Sequence, residues 1–342
     1  MILKLGNIKF DIYNGISVTL SYDSIASLFS ASLFFDPSNA LHKQIFRPLQ
    51  YLPATIEHNG ETLITGYALS HGFESGAIDT MVSISGSSIT GVLEDCEIPV
   101  SAYPLQSNGL NLREIAEKVC GAFKLKAVVD PVVSDRVNQK YTSSIASDTD
   151  RAKEYLCELA NQKNIIITHD EQGNVLLTEA KTKAAPIYDF STGAPVVRAS
   201  FPIDGQKMHS SISVVKQAAK SGKGNAGQAV VNNPYCPAYR PKVMRQTSGG
   251  DVDTGKAARN VLSDELKAMP LTLELDRWEL NGKIIRPNNI ITIQDPKLFL
   301  YNKTKFFIEQ VTFTGNEKEQ KATLTCYLPE VYNNEVPKNI FE

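Results

Sequence analysis

The stretch QYLPATIEHNGETLITGYALSHGFESGAIDTMVSISG, residues 50–86, decides the fold class. It runs proline, strand, polar turn, strand, polar turn, strand. The turn His58-Asn59-Gly60-Glu61 separates Ala54-Thr55-Ile56 from Thr62-Leu63-Ile64, and Asn-Gly supplies the positive φ angles of a tight hairpin. Met81-Val82-Ser83-Ile84-Ser85 then alternates apolar and hydroxyl side chains with the period of two that marks a half-buried strand. Upstream, Ile16-Ser17-Val18-Thr19-Leu20 alternates in the same way, so residues 1–105 form antiparallel β structure on this reading.

The same succession returns in RPNNIITIQDPKLFLYNKTKFFIEQVTFTGNEKEQKATLTCY, residues 286–327. Here Ile308-Glu309-Gln310-Val311-Thr312-Phe313 takes the place of Ile64-Thr65-Gly66-Tyr67-Ala68-Leu69. The likeness lies in pattern rather than in residues, and it raises the expectation of a duplicated barrel.

Between the two β regions the period changes. Leu112, Ile115, Ala116, Val119 and Phe123 recur at helical spacing after Asn111, with Glu114 completing a capping box. A second helix carries Ala152, Tyr155, Leu156, Leu159 and Ala160 on its apolar stripe, with Asp148 placed to cap it and Asn161 where the stripe ends. Ile165-Ile166-Ile167-Thr168, the turn Asp170-Glu171-Gln172-Gly173-Asn174 and Val175-Leu176-Leu177-Thr178 complete the segment as a hairpin. Residues 106–183 are thus expected to be a small α+β insert, and residues 184–342 a second β domain. That second domain holds one helix over 254–269, with Ala258, Val261, Leu262, Leu266 and Met269 on its apolar face and Pro270 as its stop. Residues 218–241, rich in Gly, Asn, Ala and Pro, are expected to be a long mobile loop.

Composition narrows the function. The chain has 342 residues, 35 Lys plus Arg against 37 Asp plus Glu, and a net charge of −2, without the basic footprint of a dedicated nucleic-acid binder. The most apolar stretch, Ile25 to Phe35, is broken by Ser27, Ser30 and Ser32 and is too short to span a membrane. Met1-Ile2-Leu3-Lys4-Leu5-Gly6 lacks the pattern of a secretory signal, so the five cysteines (Cys96, Cys120, Cys157, Cys236, Cys326) are expected to be reduced, mostly buried thiols.

Enzyme motifs fail one by one. Gly222-Lys223-Gly224-Asn225-Ala226-Gly227 has the spacing of a dinucleotide fingerprint but neither the strand before it nor the helix after it. Gly250-Asp251-Val252-Asp253-Thr254-Gly255-Lys256-Ala257 has the spacing of a phosphate loop, yet Ala257 stands where a magnesium-binding hydroxyl is needed and Asp251 and Asp253 repel phosphate. Asp253 or Thr254 suits a helix cap instead. The histidines (His42, His58, His71, His169, His209) never pair at i, i+4 and mostly fall in turns, as solvated side chains. No Gly-x-Ser-x-Gly elbow occurs, and the carboxylates have no apolar setting that would raise a pKa. Trp278, in Leu273 to Leu280, is expected to anchor a strand. No catalytic, cofactor-binding or metal-ligating residue is assigned, and no cofactor is expected.

The order of β region, α+β insert and β region carries a resemblance. Its residues are Ile64-Thr65-Gly66-Tyr67, Ser85-Gly86-Ser87-Ser88 leading to Leu93-Glu94-Asp95-Cys96, Leu159-Ala160-Asn161 and Gly173-Asn174-Val175-Leu176-Leu177-Thr178. Ala257-Ala258, Trp278, Gly282 and Pro287-Asn288 extend it toward Tyr332. In these blocks the chain resembles the baseplate hub proteins of Mu-like contractile-tailed bacteriophages, within the late-control D superfamily. It departs from many relatives at Ser87, where they carry arginine, and at Ile285-Arg286, where they carry an aromatic residue.

The resemblance implies two tail-tube-like antiparallel β-barrel domains with a small α+β domain, assembled as a homotrimer in the virion tail after synthesis in the host cytoplasm. It implies as partners the tail tube or its initiator, the central spike and other baseplate proteins. It also implies passage of DNA during ejection without specific binding. Two alternatives remain at this stage: the hub of a genome-free, phage-derived injection particle, and a tail-associated β protein that binds or hydrolyses glycans, which would need two spaced carboxylates.

Overall fold

A computed structural model describes residues 1–76, 80–104, 106, 108–141, 151–191, 195–217, 225–246, 254–316 and 318–342. The chain divides into two compact units, Met1–Glu179 with Val311–Lys321, and Ala180–Gln310 with Ala322–Glu342.

The first unit opens with β1 (Ile2–Leu5), β2 (Ile8–Phe10), β3 (Gly15–Ser21) and β4 (Leu28–Phe34). The helix α1 (Ala40–Ile45) leads to a meander of β5 (Pro53–His58), β6 (Glu61–Ser75) and β7 (Thr80–Ser88). Alternation sets the inner face: Ile16 stands opposite Ala31 and Ala31 opposite Ile84, all buried, while Ser17, Ser30 and Ser85 point the other way. The β5–β6 turn forms where Asn-Gly sits, with φ of 49° at Asn59 and 82° at Gly60 and His58 facing Glu61.

A short α2 (Val92–Asp95) precedes α3 (Leu112–Ala122), which starts at the expected capping box of Asn111 and Glu114. Then come β8 (Ala127–Val129), α4 (Ser134–Val137), α5 (Ala152–Gln162), β9 (Ile166–His169) and β10 (Val175–Thr178). The expected hairpin is β9–β10. Its third strand, β8, pairs parallel to β10 and is too short, at three residues, to leave a periodic signal. The N-cap of α5 is Arg151, with no side-chain cap bond, and Asp148 lies outside the described residues. Leu112, Ile115, Val119, Leu156, Leu159, Val175 and Leu177 share one core with Ile25, Ala26 and Leu93 from the preceding β region. The α+β segment thus completes its burial on residues outside 106–183.

The second unit contains β11 (Tyr188–Asp189), β12 (Val196–Ser200), β13 (Ser211–Gln217), β14 (Asn225–Asn232) and β15 (Pro241–Gln246). After α6 (Thr254–Leu266) come β16 (Leu271–Leu275), β17 (Glu279–Leu280), β18 (Lys283–Ile284) and β19 (Asn289–Asp295). The long β20 (Leu300–Gly315), β21 (Gln320–Tyr327) and α7 (Glu330–Asn333) close the chain, and Val311–Lys321 of the β20–β21 hairpin counts with the first unit.

Three expectations change here. Of residues 218–241, a loop on the sequence reading, those described include β14, which pairs antiparallel with β13; residues 218–224, with the first half of the glycine motif, lie outside the described residues. Its small and amide side chains hid a strand because a partner, rather than its own apolar pattern, fixes it. The helix over 254–269 ends as α6 at Leu266 and tightens through turn bonds from Lys267, Ala268 and Met269 before Pro270. Residues 247–253, with the phosphate-loop spacing and Asp253, lie outside the described residues. Trp278 is 1% exposed but sits in the bend after β16, where its carbonyl accepts from Ile285 N at 3.1 Å.

The duplication is topological. Strand order β3-β4-β7-β6-β5 in the first β region is repeated as β12-β16-β21-β20-β19 in the second. Both contain a very long strand at the fourth place, 15 residues in β6 and 16 in β20. The copies differ at the far side, where β1 joins β5 antiparallel but β11 joins β19 parallel. The fold class is therefore mainly β, with two strand sets of matching order and a small α+β element.

Candidate assembly surfaces

The family-like sequence blocks turn out to meet in space. Gly66, Tyr67 and Ala68 of β6 face Ser88, Ser87 and Gly86 of β7. A Cβ on Gly66 would lie 1.8 Å from the Ser87 carbonyl oxygen, and one on Gly86 would lie 1.9 Å from that of Tyr67 and 2.8 Å from the Phe29 ring. Beside them, Thr65 Oγ1 donates to the Glu171 carbonyl at 2.8 Å, tying β6 to the β9–β10 turn. Ser27 N donates to Ser88 Oγ at 3.0 Å, and His169 Nε2 lies 2.8 Å from Ser27 Oγ. These blocks fix the α+β element to the sheet.

No site residue was assigned from sequence, and the groups weighed there have mostly structural surroundings. His169 is not a solvated turn residue. Burial lowers its pKa, opposed by Ser24 and by Glu171 and Asp170, and its Nδ1 is buried without a hydrogen-bond partner. His209 Nδ1 lies 2.7 Å from Glu265 Oε1, Lys242 Nζ reaches the same oxygen at 3.1 Å, and His209 N donates to Oε2 at 3.0 Å. Glu265 is only 6% exposed, and burial raises the pKa of Glu330, so two carboxylates do have the sheltered settings not expected from sequence. His42 Nδ1 accepts from Asp36 N at 3.0 Å, His58 flanks the β5–β6 turn and His71 lies on β6. Among the described residues, all five cysteines are free and no cluster could hold a metal ion. No helix among them is long and apolar enough to cross a membrane.

The cavity on the first sheet, about 440 Å³, is lined by hydroxyls of Ser17, Thr19, Ser30, Ser85 and Ser87. Its carboxylates, Glu94 and Asp95, are successive residues of α2, and Glu94 is held by Lys153 Nζ at 2.6 Å.

What the structure offers instead is strand edges and exposed apolar side chains. From Ser70 to Ser75, β6 pairs among the described residues only with β7, since β5 stops opposite Tyr67. Among the described residues β12 ends its sheet, with Val196–Ser200 paired only to β16, a bulge at Val197 and that side chain 66% exposed. Leu49 and Tyr51 hold φ of 61° and 52° while 75% and 57% exposed. Bulky residues avoid such angles, and strain of this kind concentrates where a surface is used. No sequence signal marked these positions, because an edge is defined by a neighbour that is missing.

The described residues thus combine two strand sets of matching order, an α+β element and open strand edges. No family model matches the chain. It is 22% identical over 337 residues, 93% of this chain and 84% of the relative, to the baseplate hub protein gp44 of Escherichia phage Mu. In structure it is similar to the 43 kDa tail protein of prophage MuSo2 from Shewanella oneidensis, with TM-score 0.81, 22% identity and coverage of 97% of this chain and 98% of the other. The tail protein from Neisseria meningitidis MC58 aligns with TM-score 0.80 and 15% identity over 98% of both chains. The resemblance to Mu-like baseplate hubs therefore holds along nearly the whole sequence, and these relatives are tail and baseplate proteins, not enzymes.

Proposed function

We propose that this protein is the hub of a contractile-tail baseplate, a homotrimer in the virion that joins the sixfold tail tube to a threefold spike. The repeated strand order carries the reading: three chains with two similar strand sets each offer six near-equivalent docking faces on one side and threefold symmetry on the other. The tube or its initiator, the spike and neighbouring baseplate proteins are the partners, and the ring forms part of the path for DNA during ejection. A net charge of −2 suits such a conduit, since a wall of Lys and Arg would retain a polyanion. Functionally the chain has three parts, two tube-like domains at 1–105 and 184–342 and the α+β domain at 106–183. Light scattering tests this reading. A mass of three chains, and one spike trimer bound per ring, is the expected result; a monomer at high concentration overturns it.

A further inference from the structure

Register gathers the hydroxyls of the first β region into a line. Ser17 of β3 stands opposite Ser30 of β4, Ser30 opposite Ser85 of β7, and Ser85 opposite Ser70 of β6, so serines cross all four strands side by side. The neighbouring row on the same face is Thr19, Leu28, Ser87 and Tyr67. Alternation turns both rows away from the buried Ile16, Val18, Phe29 and Ile84. On this face opens the cavity of about 440 Å³, and α2 brings Glu94 and Asp95 to its wall.

The polar side chains around the cavity share one chemistry. All of them are hydroxyls or carboxylates, and no Lys, Arg or His lines it among the described residues. Thr19 Oγ1 lies 3.2 Å from Thr312 Oγ1, but among the described residues the hydroxyls of Ser17, Ser30, Ser70, Ser85 and Ser87 have no hydrogen-bond partner within the chain. Lys153 Nζ compensates Glu94 at 2.6 Å, whereas the exposed Asp95 is paired with no cation among the described residues. One uncompensated negative charge and a row of open acceptors therefore face the same space.

We infer that this cavity takes the side chain of an arginine carried on an exposed segment of a partner protein. A guanidinium has five N–H donors in a planar fork and no acceptor, which suits a carboxylate beside a row of hydroxyl oxygens. Its single charge balances Asp95. A lysine ammonium meets that charge as a point and matches the row less well, and a neutral sugar leaves the charge unbalanced. All the lining residues belong to the first unit, so the site does not depend on the number of copies in the proposed ring.

Saturation-transfer NMR on the full chain tests the site with three blocked tripeptides, Gly-Arg-Gly, Gly-Lys-Gly and Gly-citrulline-Gly, the last keeping the shape of arginine without its charge. The arginine peptide should bind at least about tenfold more tightly than the citrulline peptide, the difference that a charge-assisted hydrogen bond makes. The lysine peptide should fall between them. Asp95→Asn should remove most of the preference, and Asp276→Asn, at a carboxylate held by Arg277, should leave it unchanged. Ser87→Arg supplies a guanidinium to the cavity from the chain itself and should abolish binding; if circular dichroism shows that this variant does not fold, Asp95→Asn decides alone. Equal binding of the arginine and citrulline peptides, tighter binding of the lysine peptide, an undiminished preference in Asp95→Asn, or no transfer to any peptide overturns the inference. Displacement of the arginine peptide by chitotetraose makes the cavity a sugar site and also overturns it. Light scattering reads the ring of three separately, so failure here leaves the hub reading intact.

Discussion

Gly66 in β6 lies so close to Ser87 in β7 that a Cβ on the glycine would come within 1.8 Å of the serine carbonyl oxygen. That oxygen belongs to the backbone, so no side-chain rotation relieves the clash, and the ladder would have to part at the point where three sequence blocks meet.

Gly66→Ala should therefore cost on the order of 3 kcal/mol or more, enough to unfold much of the protein. Gly60→Ala gives the contrast: nothing lies within 4 Å of the added Cβ, and only the positive φ of 82° is strained, at about 1 kcal/mol. Urea unfolding followed by circular dichroism compares the two. Equal effects would show that close packing at Gly66 is not what the position requires.

His169 predicts a pH dependence. Burial holds its folded pKa below the ordinary 6.5, so the unfolded chain takes up the proton first. The unfolded state therefore binds more protons as pH falls through about 6.5, and stability declines from there until the folded pKa is passed. Replacing it (His169→Gln) should flatten that part of the profile between pH 7 and 5. Denaturant midpoints measured across that range decide it.

Thiol reactivity follows burial. The pKa of Cys120 is pushed up to about 12 and that of Cys157 to about 11, while Cys326, fully buried, is raised further still, each by desolvation. Each unit above the usual value removes about 90% of the remaining thiolate at pH 8. Alkylation of native protein should label the half-exposed Cys96 first and leave Cys120 and Cys326 for the unfolded chain. Peptide mapping after brief iodoacetamide treatment reads the order.

Glu265 should be the costliest surface-remote charge to remove. Glu265→Ala strips a carboxylate from His209 N, His209 Nδ1 and Lys242 Nζ together, at roughly 2–3 kcal/mol. Glu274→Ala is the control, because its contact with Arg198 is 3.8 Å long and solvent-exposed, worth about 0–1 kcal/mol. Thermal melts of both variants test the ranking.

The sequence determined the local elements whose cause is local. Asn59-Gly60 made its hairpin, Asn111 and Glu114 capped α3, and alternation in β3 and β7 chose the buried face. The repeated pattern at 50–86 and 286–327 also exposed the duplication, because two copies of one topology need the same succession of strand and turn signals. Features that depend on a distant partner emerge on folding alone: the strand at Asn225–Asn232, the burial of Glu265 against His209, and, among the described residues, the open edges of β6 and β12. Periodicity records which side of an element faces a core. It carries no record of which edge lacks a neighbour, since backbone hydrogen-bonding groups are the same at every residue except proline.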